Sequence, residues 1–261
     1  LCKFLLCNRF TWFTCFTINH LAGKSCSNKK LKMINTNIVL NVYKEKSSKS
    51  PLSTQLLYGD KFKIIKRYGK YLKIRTTYDN YTGYIKSKKF KENFNPTHKI
   101  SSLSAYLYSR PNKKFKLRKK ISFCSYIKIN NKKKNFLNFD KYWISKKDVL
   151  PIKKKDLLFS KIKMFKNIKY KWGGNSFKGI DCSALVQIFY KFNNKFCPRD
   201  TKDQIKYFKK NVKISKIKKN NLIFWEGHVA VCISKKNLIH AYGPKKKVII
   251  MSTNKTIKEI E

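Results

Sequence analysis

The stretch YKWGGNSFKGIDCSALVQIFY, residues 170–190, decides the fold of the C-terminal part of the chain. Three glycines lead into Asp181 and Cys182, and an apolar pattern of helical period follows at once. Asp is a favoured N-cap residue, so the helix is expected to begin directly after it. The positions that would bury one face of this helix are Leu185, Val186, Phe189 and Tyr190. The stretch therefore predicts a thiol in the first turn of a helix.

A thiol in this place is a candidate nucleophile. The helix macrodipole and the unpaired N–H groups of the first turn both favour thiolate over thiol. Attack on an amide also needs a proton donor for the leaving amine, and histidine titrates in the useful range. His228 and His240 lie in neighbouring strand-like segments downstream of Cys182. We expect Cys182 to be the nucleophile, His228 the base and His240 the group that orients it.

Two other interpretations use the same three residues. A lone cysteine is often a small buried hydrophobe, and the histidines would then be ordinary sheet residues. The three side chains could also bind a metal, although structural zinc sites usually have ligand pairs at short spacing, which are missing here. No metal and no cofactor is therefore expected.

The region from residue 156 to 261 is predicted to be an α+β domain. One helix is expected in KDLLFSKIKMFKNI, with an apolar stripe made by Leu157, Leu158, Ile162 and Phe165. Four strands are expected in NLIFW, HVAVCIS, NLIHAY and KVIIM, forming an antiparallel sheet packed on helices.

Two small all-β barrels are expected ahead of this domain. Residues 33–90 alternate short β-rich runs with turn residues, as in YGD and YG, and the order of these runs resembles bacterial SH3-like domains. Residues 98–150 contain a second, weaker copy of the pattern, in which YWIS parallels YIKS, and residues 91–98 would link the two.

The first 32 residues are expected to be an upstream extension outside the fold. They contain four of the eight cysteines and no clean apolar run of signal or membrane length, and Met33 then opens a more typical segment. A poor export signal or a disulfide-bonded cap is the alternative. The other four cysteines show no C-x-x-C pair, which favours a reducing cytoplasm. No membrane span is predicted.

The net charge of +49 is not taken as a sign of specific nucleic-acid binding. Nearly all the basic residues are Lys, spread along the whole chain, whereas sites that read bases or clamp phosphates favour the guanidinium fork of Arg. Such a distribution is typical of a protein from an A/T-rich genome. Attraction to acidic polymers remains a consequence of the charge.

Four segments together resemble the NlpC/P60 family of cell-wall cysteine peptidases: YKWGGNSFKGIDCSALVQIFYKF, CPRDTKDQ, NLIFWEGHVAVCIS and NLIHAYGP. The resemblance covers about residues 158–261. It implies a papain-like fold and cleavage of murein peptides after γ-D-glutamate. The family's catalytic Cys, base His and third polar residue fall on Cys182, His228 and His240.

The resemblance also implies a set of oxyanion or substrate-binding residues. Tyr170 matches a tyrosine associated with the oxyanion site, Asp181 and Thr201 would hold the free amine of the substrate, and Ser183 belongs to the same group. Three positions depart from the family pattern. Ala184 replaces a glycine, Thr201 replaces a serine, and Lys219-Asn220-Asn221 replaces Gly-Asp. Asn tolerates the left-handed turn that glycine supplies.

The resemblance leaves two peptidase functions open. The preferred one is a dipeptidyl-peptidase that trims free murein peptides beginning with L-Ala-γ-D-Glu, the barrels blocking longer chains. The alternative is an exported endopeptidase whose SH3-like domains bind polymeric murein. A non-catalytic wall-binding module is a third interpretation, although Cys182, His228 and His240 are all present. The sequence does not indicate an oligomeric state.

Overall fold

The computed structural model describes residues 3–5, 32–92 and 94–260. Within these ranges the strands are β1 (Lys3–Leu5), β2 (Lys32–Ile34), β3 (Val39–Tyr43), β4 (Leu52–Leu57), β5 (Lys61–Tyr68), β6 (Tyr71–Thr76), β7 (Thr82–Lys86), β8 (Lys91–Glu92), β9 (His98–Ile100), β10 (Ser104–Tyr108), β11 (Lys116–Ser122), β12 (Tyr126–Ile127), β13 (Asn131–Lys133), β14 (Phe136–Phe139), β15 (Tyr142–Ser145), β16 (Val149–Pro151), β17 (Asn175–Ser176), β18 (Gly179–Ile180), β19 (Leu222–Trp225), β20 (His228–Cys232), β21 (Asn237–Tyr242) and β22 (Lys247–Ser252). The α-helices are α1 (Cys182–Phe192), α2 (Thr201–Tyr207) and α3 (Thr253–Ile260). Short 3₁₀ helices lie at Lys113–Phe115, Lys146–Asp148, Ile162–Phe165 and Ile214–Lys216.

Residues 32–92 form an N-terminal β domain. Its strands make one antiparallel sheet in the order β4-β3-β7-β6-β5-β2-β8. The turns fall where the sequence predicts them. Gly59, between β4 and β5, has φ +86°, and Asn80, between β6 and β7, has φ +57°. These left-handed conformations suit Gly and Asn, so the turn residues fix where each strand ends.

Residues 98–151 form a second β domain. It has a five-stranded sheet in the order β11-β10-β15-β14-β13 and a three-stranded sheet in the order β12-β9-β16. Its core is built from Ile100, Ala105, Leu107, Ile121, Ile127, Leu137, Phe139, Ile144 and Val149, with Tyr58 of the N-terminal domain. An all-β unit is present at the expected place. Its assignment as a second SH3-like domain stays a prediction.

The C-terminal domain is built on the predicted antiparallel sheet. Its strands follow the order β1-β19-β20-β21-β22, and α1 packs against β20 and β21. The four predicted strands are therefore confirmed, in chain order. Helices α2 and α3 are short and were not expected from the sequence.

The prediction of an α-helix in KDLLFSKIKMFKNI is wrong. This segment consists of turns and the 3₁₀ helix Ile162–Phe165. Phe159 has φ +62° and Asn167 has φ +69°, and a left-handed residue interrupts an α-helix. Leu157, placed on the apolar stripe by its spacing, is 72% exposed, whereas Ile162 and Phe165 are buried.

Helix α1 is buried on all sides, and not only on the one face that its sequence predicts. The C-terminal sheet covers one side, and the two β domains cover the other. Leu57 and Phe123 belong to the same hydrophobic cluster as the helix, and the Phe123 ring stacks on Phe192 with ring centroids 4.5 Å apart. Residues of both β domains therefore contribute to the hydrophobic core around α1.

Most of residues 1–32 lies outside the described residues, so the expectation of an extension outside the fold is largely untested. Lys3–Leu5 differ from that expectation because they form β1, which pairs with β19 at the edge of the C-terminal sheet. Lys32 belongs to β2 of the N-terminal domain. In the ranges the structure describes, no helix combines the length and hydrophobicity needed to cross a bilayer.

Candidate active site

The glycines ahead of Cys182 allow the chain to pass close to the N-terminal domain. Gly173 has φ +69°, and a Cβ atom there would lie 2.4 Å from the carbonyl oxygen of Leu52 in β4. A larger residue would be strained by its backbone conformation and by this contact. Gly173 also donates its N–H to Asp181 Oδ2 at 2.9 Å. The glycine-rich approach thus positions Asp181 and the helix that follows.

Cys182 is the first residue of α1 and is only 6% exposed. Its Sγ lies 4.0 Å from Thr201 Oγ1 and 4.0 Å from the carbonyl oxygen of Gly227. No hydrogen bond joins Cys182 to His228 in the described part of the chain. The prediction of a thiol at a helix N-terminus is confirmed. The residue of the CPRDT segment that contacts the thiol is Thr201.

His228 and His240 lie side by side at the neighbouring strands β20 and β21. His228 Nε2 is 2.9 Å from His240 Nδ1, which makes one hydrogen bond between the rings. His240 is fully buried, and its ring stacks on Tyr242 with centroids 4.7 Å apart and planes 13° apart. The predicted pairing of these two histidines is present, and it leaves His228 Nδ1 as the ring nitrogen available for other contacts.

Burial controls the protonation of the three groups. It lowers the pKa of His228 to about 4 and, together with the neighbouring His228, that of His240 to about 3. Burial and then the Asp181 carboxylate raise the pKa of the Cys182 thiol to about 11. The expectation of a thiolate is therefore corrected. Burial favours a neutral thiol and neutral imidazoles in the resting site, which is opposite to the effect expected from the helix N-terminus.

Asp181 does not face an open space. Arg199 binds it through two contacts, Nη1 to Oδ1 at 3.0 Å and Nη2 to Oδ2 at 2.6 Å. The backbone N–H of Ala184 donates to Oδ1 at 2.8 Å, as expected for an N-cap residue. Both carboxylate oxygens are occupied, and the residue is 6% exposed. Its predicted role as the partner of a substrate amine is therefore corrected to an N-cap and ion-pair role.

Ser183 belongs to the same inward-facing network. Its hydroxyl donates to Asp181 Oδ1 at 3.2 Å and accepts from Arg199 Nη1 at 2.9 Å. Arg199 Nε donates to Thr54 Oγ1 in β4 at 2.9 Å, so the guanidinium joins the two domains. The Ser183 side chain is thus turned away from an oxyanion role. The sequence signal for Arg199 was its place in CPRD, as one of few arginines in the chain.

Asp200 and Tyr81 form a pair that the sequence reasoning missed. Asp200 is the N-cap residue of α2, yet its carboxylate makes no capping hydrogen bond. It accepts instead from the Tyr81 hydroxyl, at 3.1 Å to Oδ2. Tyr81 lies in the β6–β7 turn of the N-terminal domain. Its partner Asp200 directly precedes Thr201, whose hydroxyl contacts the Cys182 thiol. The signal for this carboxylate was its position in the CPRDT motif.

Asp200 and Tyr81 are only partly buried, unlike Asp181. Burial raises the pKa of Asp200 above its ordinary range, and the nearby Arg199 guanidinium opposes that rise. Burial and the Asp200 carboxylate raise the pKa of Tyr81 to about 12. The tyrosine is therefore a hydrogen-bond donor to a carboxylate that still has contact with solvent.

Tyr170 lies near enough to the Cys182 thiol for the two groups to interact electrostatically, and its oxyanion role stays a prediction. Burial, followed by the neighbouring Cys182, raises the pKa of Tyr170 to about 12, so its hydroxyl keeps its proton.

Asn220 has φ +72°, which confirms that Asn supplies the left-handed turn in place of glycine. Ala184 sits in the buried first turn of α1 without disturbing the Asp181 cap.

Comparison with known proteins identifies two parts of the chain. Residues 167–259 match the NlpC/P60 family, and residues 42–90 match the family described as the bacterial dipeptidyl-peptidase Sh3 domain.

The C-terminal domain belongs to the NlpC/P60 family.

Curated relatives of this chain carry peptidase names. The chain is 26% identical over 239 residues to the gamma-D-glutamyl-L-lysine dipeptidyl-peptidase of Bacillus subtilis, covering 80% of this chain and 79% of that protein. It is 25% identical over 240 residues to the Bacillus cereus protein of the same name, covering 78% and 71%. Dipeptidyl-peptidase 6 of Lysinibacillus sphaericus is 36% identical over 72 residues, which are 28% of this chain and 27% of that protein.

Solved structures share the NlpC/P60 fold. The crystal structure of an NlpC/P60 family protein from Bacillus cereus has a TM-score of 0.72 at 21% identity, covering 85% of this chain and 94% of that chain. An NlpC/P60 endopeptidase from Photobacterium damselae has a TM-score of 0.59 at 13% identity, covering 90% and 70%. These neighbours show the fold, an α+β domain of the NlpC/P60 type preceded by an SH3-like domain. The family match and the names of the relatives identify a cysteine-type peptidase.

Proposed function

We propose that this peptidase is a dipeptidyl-peptidase that hydrolyses free murein peptides at the bond between γ-D-glutamate and the diamino acid, with Cys182, His228 and His240 as its catalytic set. The names of the two relatives that align over most of the chain support this reaction. The observation that carries the proposal is the Asp200–Tyr81 pair. It offers a partly exposed carboxylate next in sequence to Thr201, whose hydroxyl oxygen lies 4.0 Å from the Cys182 sulfur.

The geometry supports a mechanism that starts from the neutral pair. His228 Nδ1 takes the thiol proton as Cys182 Sγ attacks the carbonyl carbon of γ-D-glutamate. The resulting imidazolium donates through Nε2 to His240 and returns its proton to the leaving amine of the diamino acid. Water, deprotonated by His228, then attacks the thioester and releases L-Ala-γ-D-Glu, and the imidazolium returns the proton to the Cys182 sulfur that leaves.

The tetrahedral intermediate needs hydrogen-bond donors for its oxyanion. We assign this role to the Tyr170 hydroxyl and to the backbone N–H of Cys182 at the start of α1. The raised pKa of Tyr170 suits a donor that must stay protonated throughout the reaction. Preorganised donors in a dry site stabilise a developing negative charge far better than water does.

The free amine of the substrate is assigned to Asp200, with Thr201 beside it. Asp181 cannot take this role, because Arg199 and the helix N-terminus occupy both of its oxygens. Asp200 has one side-chain donor, Tyr81, and an ammonium group would add a second, charged one. When the substrate's N-terminus is bound here, the number of substrate residues between its amine and the cleaved bond is fixed, so the product is a dipeptide.

The N-terminal domain closes the cleft on the amine side. Its β6–β7 turn is anchored on the C-terminal domain by Tyr78, whose hydroxyl donates to the carbonyl of Lys195 at 2.7 Å, and by Asp79, which accepts from Gln187 at 2.8 Å. This turn also carries Tyr81. A peptide extended beyond its L-Ala would meet the turn, so the anchored turn supports trimming of free peptides over cutting of polymeric murein.

The decisive test compares substrates with a free and a blocked amine. L-Ala-γ-D-Glu-L-Lys and its diaminopimelate analogue, each with a free or an acetylated N-terminus, are incubated with the protein, and released diamino acid is measured. We expect acetylation to reduce kcat/KM at least about 100-fold, since it removes the charge and adds bulk. Equal cleavage of free and acetylated peptide would refute amine recognition.

Matched variants locate the amine site. Asp200→Asn and Tyr81→Phe should raise KM for the free peptide, and Asp203→Asn, on the exposed side of α2, should leave it unchanged. If Asp200→Asn behaves like Asp203→Asn, the assignment of Asp200 fails while the peptidase activity itself stands.

A cytoplasmic location is part of the same proposal, because free peptides are the substrates of recycling. Cys124 and Cys232 are buried free thiols, which suits a reducing compartment. The second candidate is an exported wall endopeptidase, favoured by the net charge of +49, which would attract anionic wall polymers. Release of soluble fragments from intact murein sacculi, with no cleavage of the free tripeptide, would select this alternative.

A further inference from the structure

The side chain of Met251 contacts the ring nitrogen of His240 that does not face His228. Its Sδ lies 3.4 Å from His240 Nε2. Met251 is on β22, beside β21, where Leu238 pairs with Met251 and His240 pairs with Ile249. His240 and Met251 are thus diagonal neighbours on one face of the sheet, close enough for a side-chain contact.

This contact determines which nitrogen of His240 carries the proton. A thioether sulfur has no proton to donate and acts only as a weak acceptor. His240 is fully buried, so its ring nitrogens need hydrogen-bond partners within the protein. In a neutral imidazole one nitrogen donates and the other accepts. Only the tautomer with the proton on Nε2 gives both nitrogens a hydrogen-bond partner, because Nε2 then donates to the sulfur and Nδ1 accepts from His228.

The same reasoning continues to His228. Because His240 Nδ1 is an acceptor, the 2.9 Å contact between the rings requires His228 Nε2 to be the donor. A neutral His228 with its proton on Nε2 has an unprotonated Nδ1. This is the nitrogen that the reaction needs as a base, and the opposite tautomer would present an N–H to the thiol instead.

We propose that Met251 is a positioning residue, whose thioether fixes the tautomers of His240 and His228 in series and so keeps His228 Nδ1 free to accept the proton of Cys182. The sulfur does not touch the reacting atoms. It accepts a hydrogen bond from His240 Nε2, which makes His240 Nδ1 the acceptor for His228 Nε2.

The other polar groups around the pair do not impose this direction. On β21 the Tyr242 ring stacks on His240, and its hydroxyl donates to Glu259 of α3 at 3.3 Å, away from the imidazole. On β19 the Trp225 ring lies against His228 with centroids 5.7 Å apart. On α1 the nearest titratable group is the Cys182 thiol itself. Among the described residues, Met251 is the hydrogen-bond partner recorded for His240 Nε2.

Loss of the sulfur has a specific consequence. In Met251→Leu the Nε2 proton of His240 would be buried without an acceptor, which is unfavourable. The His240 ring can relieve this by moving its proton to Nδ1, which then donates to His228 Nε2. His228 must then carry its proton on Nδ1, so a fraction of the enzyme has no base facing the thiol.

Nuclear magnetic resonance of the histidine ring nitrogens tests the proposal without a substrate. Protonated and unprotonated ring nitrogens resonate in separate ¹⁵N ranges. In the wild-type protein at neutral pH, both His228 and His240 should carry their protons on Nε2. In Met251→Leu a second population with protonated Nδ1 should appear at both residues, and Met251→Gln, which offers an amide oxygen, should restore most of the original state.

Kinetics supply the second arm, which rests on the proposed substrate L-Ala-γ-D-Glu-L-Lys. Met251→Leu should lower kcat about five- to tenfold, the size of one buried hydrogen bond, with KM unchanged. Met251→Gln should recover most of this loss. Met164→Leu, a partly buried methionine packed on the core elsewhere, is the matched control and should keep the wild-type kcat.

Two results would overturn the proposal. One is a wild-type spectrum with the proton of either histidine on Nδ1. The other is a Met251→Leu protein whose tautomers are unchanged, whatever its rate, because a rate loss alone would then be a packing effect. If the tripeptide is not cleaved by the wild-type protein, the proposed function fails, and the nitrogen spectra still decide the role of Met251.

Discussion

The carboxylate of Asp60 lies 2.5 Å from the ammonium group of Lys191, and both side chains are almost completely buried. Asp60 belongs to the β4–β5 turn of the N-terminal domain, and Lys191 lies in the last turn of the helix that begins with Cys182. Burial alone would lower the pKa of Lys191, but the Asp60 carboxylate reverses this and raises it. The catalytic helix is therefore held at its far end by a charge from another domain.

Breaking this pair from one side should be strongly destabilising. Asp60→Asn leaves the Lys191 ammonium buried without its counter-ion, and we expect a loss of about 3–5 kcal/mol in the free energy of unfolding. Chemical denaturation measures the loss. The matched control is Asp140→Asn, which breaks the more exposed pair with Lys91, whose side chain is 63% exposed, and should cost at most about 1 kcal/mol. Equal effects of the two variants would contradict the importance of burial.

The catalytic assignments predict a large and specific loss of rate. Cys182→Ala should abolish hydrolysis of the tripeptide while leaving the thermal unfolding temperature close to that of the wild type. His228→Ala should lower kcat by about 10²- to 10⁴-fold, the usual contribution of a general base. Cys232→Ala, a buried cysteine on the same sheet, serves as the control. A Cys182→Ala protein that still turns over substrate would rule out the nucleophile.

Alkylation by iodoacetamide should be selective for Cys182, although its thiol is not ionised at rest. Cys182 is 6% exposed, whereas Cys124, Cys197 and Cys232 are fully buried. Access and a neighbouring base, more than a low pKa, should make it react first. Mass spectrometry of peptides after brief native labelling gives the order. Uniform labelling of the four cysteines would argue against this assignment.

The pH dependence of KM should report the ionisation of Asp200. Its carboxylate binds an ammonium only when ionised, and its pKa is raised by burial, so binding should weaken at a higher pH than for an ordinary aspartate. KM for the free peptide should therefore rise as the pH falls into the mildly acidic range. It should rise again above about pH 8, where the α-amine of the peptide loses its proton.

The maximal rate should behave differently over the same range. The pKa of His228 is lowered to about 4, so the base stays unprotonated and kcat should change little between about pH 5 and 8. Steady-state kinetics at saturating substrate separates the two parameters. A parallel acid loss of kcat and a constant KM would contradict the assignments of both His228 and Asp200.

The sequence predicts the parts of the site that depend on local structure. The N-cap role of Asp181, the start of α1 at Cys182 and the strands that carry His228 and His240 follow from motif spacing and hydrophobic period. The left-handed turn at Asn220 is equally local. Each of these features is determined within a few residues of the motif, so a single sequence is sufficient.

The features that the sequence did not predict depend on contacts between distant segments. Arg199 reaches Asp181 and Thr54, which are 18 and 145 positions away, and nothing in the local pattern shows that it occupies the carboxylate. The Tyr81–Asp200 contact spans 119 positions. The state of the thiol was also missed, because desolvation depends on how deeply the assembled domains bury the helix.

Helix α1 is completed by groups from both preceding domains, and this affects the order in which the chain can fold. Lys99 of the second β domain is fully buried, and its ammonium donates to the carbonyl of Phe192, 2.5 Å away, at the C-terminal end of the helix. During synthesis the N-terminal parts of a chain emerge and fold first. The residues that contact this helix are thus synthesised before the helix itself, namely Asp60, Lys99 and Phe123. On the ribosome the two β domains must remain soluble with these surfaces uncovered, and the nucleophile reaches its final position only after β20 and β21, on which α1 packs, have emerged.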